Sequence, residues 1–149
     1  FELYDLTGKE KYRKAIDLVY SQIQKMPRTK EEISGIKTIY PNQVWLDGLY
    51  MCQPFYMEYE TRFHDKKIYD DIFAQFLIGK EYARIQRQDF IITHMIPQEK
   101  YSGVQGNRSQ PEFLAPALGW YSMALLDTLD KADASVGEPY EKMKQILWS

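Results

Sequence analysis

One cysteine, Cys52, and two histidines, His64 and His94, are all that the 149 residues provide of these types. A single cysteine excludes a disulfide within one chain and a cysteine-based zinc site. Neither histidine has carboxylates around it at HExxH-type spacing, so no metal and no cofactor are expected. A dominant charge is also missing. Lys and Arg number 19 against 21 Asp and Glu, and the net charge of −2 gives no electrostatic reason for a nucleic acid partner. No apolar run approaches the roughly 20 residues that cross a bilayer, so no membrane partner is expected. The segment Phe1–Gly8 has neither an initiator methionine nor a basic stretch followed by an apolar one, and does not read as a signal peptide. It reads as the end of a helix closed by Gly8, so the chain is expected to belong to something longer.

What is present is ordinary for a folded domain with its own core: 44% hydrophobic and 27% charged residues. From Lys9 to Met26, Tyr12, Ala15, Ile16, Val19, Tyr20 and Ile23 recur at helical spacing, and Pro27 ends the run. Asn42 is placed to cap a helix over Val44–Arg62 that is apolar on nearly every side, the mark of a buried helix. Pro54 within it predicts a kink or a break. Ile68–Glu81 is amphipathic, Leu114–Leu129 is largely apolar, and Tyr140–Leu147 is amphipathic again. Phe90–Thr93 suggests a short strand, and Asp70 and Asp71 a solvated helix start.

Three short polar turns, at Gly8–Lys11, Asp65–Lys67 and Gly137–Pro139, each lead from an apolar helix to a tyrosine early in the next helix: Tyr12, Tyr69 and Tyr140. Repeated helix pairs of this kind predict an all-α solenoid or α/α toroid, with apolar helices inside and amphipathic ones outside. The longer connections, Arg28–Ile39 and Gln86–Gln110, then fall on the other face, where sites are usually built.

The densest motif is Tyr40-Pro41-Asn42-Gln43-Val44-Trp45-Leu46-Asp47-Gly48-Leu49-Tyr50-Met51. Asp47 sits in a helical first turn among Trp45, Tyr50 and Met51. Two readings are open. A first-turn carboxylate complements the helix dipole; a carboxyl in an apolar aromatic setting is placed for general acid or base work. Aromatic residues make up 15% of the chain. They suit helix packing, and their flat faces also suit sugars.

The motif resembles the one that marks glycoside hydrolase family 105, the unsaturated rhamnogalacturonyl hydrolases. The likeness extends to Leu3–Tyr12, Tyr69–Phe76 and Gly119–Asp127. It implies an (α/α)6 barrel, of which residues 1–149 would form about half, with further segments or subunits completing it. The implied substrate is an oligosaccharide ending in unsaturated galacturonic acid, as released by rhamnogalacturonan lyases. The implied chemistry is hydration of the C4=C5 vinyl ether, not displacement at the anomeric carbon. Asp47 matches the general acid/base, and Trp45, His94, Arg108 and Trp120 match substrate-site positions. A second acidic site residue would lie upstream of Phe1. The sequence departs from the pattern at Leu114, where a tryptophan is usual, and at Pro116, where an arginine is usual. His94-Met95-Ile96-Pro97 and Ser34-Gly35-Ile36-Lys37 also depart from it. Arg108 or Arg28 is then the candidate to hold a substrate carboxylate. The alternative to an enzyme is a non-catalytic α/α-repeat sugar-binding or scaffold module.

Overall fold

A computed structural model of the chain describes residues 1–28, 44–86, 94–95 and 115–148. The elements run α1 (Glu2–Thr7), α2 (Glu10–Gln24), β1 (Val44–Trp45), α3 (Leu46–Phe63), α4 (Tyr69–Gln86), β2 (His94–Met95), α5 (Ala115–Lys131), a 3-10 turn (Ala134–Val136) and α6 (Glu138–Trp148). The expectation of an all-α chain holds, with one two-residue antiparallel bridge added.

Three successive hairpins result: α1–α2, α3–α4 and α5–α6. Their turns are short for physical reasons that the sequence carries. Gly8 takes φ +61° and its N–H donates to the Tyr4 carbonyl, closing α1 as the glycine predicts. Between α3 and α4, Asp65 and Lys66 take φ of 54° and 61°. Side chains rarely adopt this region, and here Lys66 is tied to Asp133 by an ion pair. Asp133 in turn accepts from the Ser135 N–H and starts the 3-10 turn. The Lys66 ammonium holds the Asp133 carboxyl well below the usual carboxylate range.

The most extensive helix contact is α3 against α5, with α4 and α6 outside them. Leu49, Met57, Phe76, Leu125 and Met143 are buried at its centre, together with Ile72 and Ala124. Tyr121 on α5 is buried and donates to the Phe76 carbonyl of α4 at 3.0 Å, which fastens the outer helix to the inner. The N-terminal segment also touches α3. Phe1 lies 5.0 Å from Phe55 between ring centroids, and Arg62 pairs with Asp5.

The helix α3 runs unbroken through Pro54. Proline removes one rung of the ladder, and packing against α5, α2 and α4 holds the remainder. The predicted helical start at Val44 is too early. Val44 and Trp45 are extended and pair with Met95 and His94, so Trp45 does not lie on an inner helix. A β-branched residue followed by an aromatic favours an extended backbone when a partner strand is available. Leu49 and Trp120 do lie on the inner helices α3 and α5. Asn42 and Phe90–Thr93 fall outside the described residues.

Cys52 is buried on α3, and burial pushes its thiol above the usual range. A raised pKa leaves little thiolate. In native buffer at pH 8, labelling by a disulfide reagent should therefore be at least tenfold slower than in denaturant. Equal rates would place Cys52 at the surface.

Candidate active site

Asp47 is the second residue of α3. Its Oδ1 is shielded from solvent and has no hydrogen-bond partner among the described residues. A buried carboxyl oxygen without a donor is costly, and such an oxygen retains its capacity to bond to a ligand. Asp47 and Tyr50 are three apart and share a helix face. The Tyr50 ring meets Trp120 of α5 at 4.9 Å between centroids, tilted by 45°. Trp120 remains 37% exposed, although its neighbour Tyr121 is buried. Asp47 and the Tyr50–Trp120 contact thus lie in the N-terminal parts of α3 and α5.

The β1–β2 bridge adds a second juxtaposition. Trp45 and His94 are direct partners in its register. Two positions 49 apart in sequence are therefore brought opposite each other, two residues before Asp47. Arg108 falls outside the described residues.

Arg28 is not available as expected. Both its terminal nitrogens donate to Asp71, each at 2.6 Å. This bidentate pair lies near the buried Tyr56, whose hydroxyl is pushed up to about 12 by burial first and by the Asp71 charge second. Asp71 is consequently not a solvated helix-start residue, although Asp70 is exposed. Arg28 and Asp71 are 43 residues apart, and no local pattern announces their pairing.

Sequence reasoning also missed a polar cluster remote from Asp47. Glu60 on α3 is completely buried. Its Oε1 accepts from the Tyr20 hydroxyl at 2.7 Å and lies 2.6 Å from His64 Nδ1. Its Oε2 accepts from the Ile68 N–H at 3.2 Å. Gln24 donates to the Tyr20 hydroxyl at 2.9 Å. Burial, and then the bond to Glu60, raise the Tyr20 hydroxyl far above its ordinary value. The cluster ties α2 to the α3–α4 turn. The i, i+4 spacing of Glu60 and His64 was the one readable signal.

Residues 1–147 match the family model of Glycosyl Hydrolase Family 88. The chain belongs to that family. Its structure is also similar to that of a family 105 glycoside hydrolase from C. acetobutylicum ATCC 824, with a TM-score of 0.83 and 36% identity. The alignment covers 98% of this chain and 41% of that one, so the present chain spans less than half the length of that relative. The three hairpins are those of an α/α barrel, and α3 and α5 are neighbouring inner helices of this glycosyl hydrolase fold. The resemblance to family 105 drawn from the Tyr40–Met51 motif is thereby established.

Proposed function

We propose that the protein containing this chain is a glycoside hydrolase. It removes unsaturated galacturonic acid from rhamnogalacturonan lyase products, with Asp47 as the acid. The observation that carries the reading is the Asp47 Oδ1, shielded and without a donor among the described residues, on the helix that also presents Tyr50 to Trp120. A sugar ring laid on the open Trp120 face has its C–H groups against the aromatic system, and Asp47 lies three residues before Tyr50, which touches that indole.

In this reading the protonated carboxyl of Asp47 transfers its proton to C4 of the vinyl ether. Positive charge develops at C5 and is shared with the ring oxygen. Water then bonds to C5, and the Asp47 carboxylate takes up the proton released. The resulting C5 hemiketal opens: the C5–O bond breaks, C5 becomes a ketone and the ring oxygen gains a proton. The C1 hemiacetal so formed expels the aglycone as an alcohol and leaves an aldehyde. The two-carboxylate scheme of ordinary glycosidases is not needed.

The test compares two disaccharides, an unsaturated galacturonyl-rhamnose and its saturated counterpart. The unsaturated one should be consumed, with loss of double-bond absorbance, and the saturated one left intact. Cleavage of both at similar rates contradicts the reading.

One observation favours the non-catalytic alternative. Arg13, Arg28 and Arg62 already pair with Asp17, Asp71 and Asp5, respectively. Pro116 stands where the related enzymes usually have an arginine. A sugar-binding module would bind the unsaturated disaccharide, quenching Trp120 fluorescence, without consuming its chromophore.

The remaining barrel helices are the proposed cover for the open edges of this array. Leu6 is 81% exposed on α1 and Leu126 is 52% exposed on α5, with Leu3, Leu18 and Met123 also exposed. Apolar surface of this kind favours association. The 149 residues expressed alone should self-associate in sedimentation velocity. A monodisperse, stable monomer would contradict this.

A further inference from the structure

On α5, Tyr121, Ala124, Leu125, Thr128 and Leu129 are buried, a stripe at i, i+3, i+4, i+7 and i+8 that packs the helix. Trp120 stands beside that stripe and is 37% exposed. A large apolar side chain left open is more informative than a buried one, and the packing of α5 does not account for it. The ring that meets the indole comes from another helix. It is Tyr50 of α3, 4.9 Å away between centroids and tilted by 45°. Tyr50 is itself half-buried and packs against the hydrophobic core.

The indole thus leans on a side chain that the core holds. A side chain has several staggered conformers open to it, and a ligand that binds a swinging ring must fix it at a cost in affinity. A ring that rests on a held neighbour is set before the ligand arrives.

We infer that Tyr50 is a positioning residue, which sets the Trp120 indole in the orientation that receives the sugar. The inference rests on the reading of Trp120 as the sugar platform. Tyr50 acts through Trp120, with no contact to substrate of its own. The role belongs to its ring and not to its hydroxyl.

The experiment uses Tyr50→Phe and Tyr50→Leu in the full-length protein, with turnover of the unsaturated disaccharide as one readout. The second is the fluorine resonance of 5-fluorotryptophan at position 120, assigned through Trp120→Phe. Tyr50→Phe keeps the ring and should keep the parental KM and resonance. Tyr50→Leu keeps apolar bulk without the ring. Its KM should rise about three- to tenfold, the worth of one aromatic pair, with kcat within about twofold of the parent, and the resonance should move. Tyr50→Met repeats the comparison with a second ringless side chain that adapts to irregular gaps. Parental KM in both the Leu and Met variants overturns the proposal while leaving Trp120 as the platform, as does a resonance that stays in place. A loss in Tyr50→Phe equal to that in Tyr50→Leu also overturns it, because the hydroxyl would then bind substrate. Parental KM in Trp120→Ala refutes the platform itself, and the proposal with it.

Discussion

Asp47→Asn should reduce kcat on the unsaturated disaccharide by roughly 10²–10⁴-fold, the usual contribution of a general acid, and leave the fold intact. The amide preserves the shape of the carboxyl and can still form hydrogen bonds, but it does not deliver a proton to carbon. Stability should change little, because Asp47 Oδ1 has no partner to lose among the described residues. Substrate binding should persist, since Tyr50 and Trp120 are untouched, so the loss should appear in kcat and not in KM. Parental turnover in the Asn variant would reduce Asp47 to a first-turn residue that complements the helix dipole.

The second large effect belongs to Glu60→Ala, remote from the site. Glu60 is fully buried and accepts from Tyr20 and from the Ile68 N–H, with His64 Nδ1 2.6 Å away. Removing the side chain leaves the buried Tyr20 hydroxyl and the Ile68 N–H without their acceptor and opens a cavity. Leaving buried donors without their acceptor typically costs about 1–3 kcal/mol for each group. For a chain of this size that lowers the unfolding temperature by roughly 10 °C. Glu60→Gln should cost less, because its amide oxygen still accepts one of the bonds. A Glu60→Ala variant within about 1 kcal/mol of the parent would show that the cluster contributes little net stability.

The difference between these two sites explains what the sequence made legible. Helices were readable where the apolar period is strong: Ile16, Tyr20 and Ile23 on α2 are all buried, and Gly8 ends α1 by a local rule. Asp47, Tyr50 and Trp120 were readable because they lie in dense motifs close to helix starts. Three features depended on contacts between distant residues. The extended Val44–Trp45 pair exists because His94–Met95 lies beside it, a partner that periodicity does not reveal. Arg28 looked like a free loop arginine until Asp71, 43 residues away, took both its terminal nitrogens. Pro54 suggested a kink or a break, and α3 is not broken there, with packing on several sides holding the helix together. Tertiary packing overrode a local preference in each case.

The same contrast bears on how the hairpins cooperate. The short turns are laced to one another. Thr61 donates to the Lys131 carbonyl at 2.7 Å, and the Asp133 N–H donates to the Tyr69 hydroxyl at 3.0 Å. These bonds join the α3–α4 turn to the segment after α5. Asp47 and Trp120 lie at the opposite ends of α3 and α5, close to where the long connections return. The bonds that lace the turns thus lie toward one end of α3 and α5, and the candidate chemistry toward the other.

The most direct test of the central claim is the fate of solvent hydrogen during turnover of the unsaturated disaccharide in D2O by the full-length protein. Protonation of the vinyl ether by Asp47 predicts one deuterium at C4 of the released uronic acid product, with the double-bond absorbance lost in step. A product that keeps its double bond and carries no deuterium at C4 would mean direct displacement at the anomeric carbon, and would contradict the account.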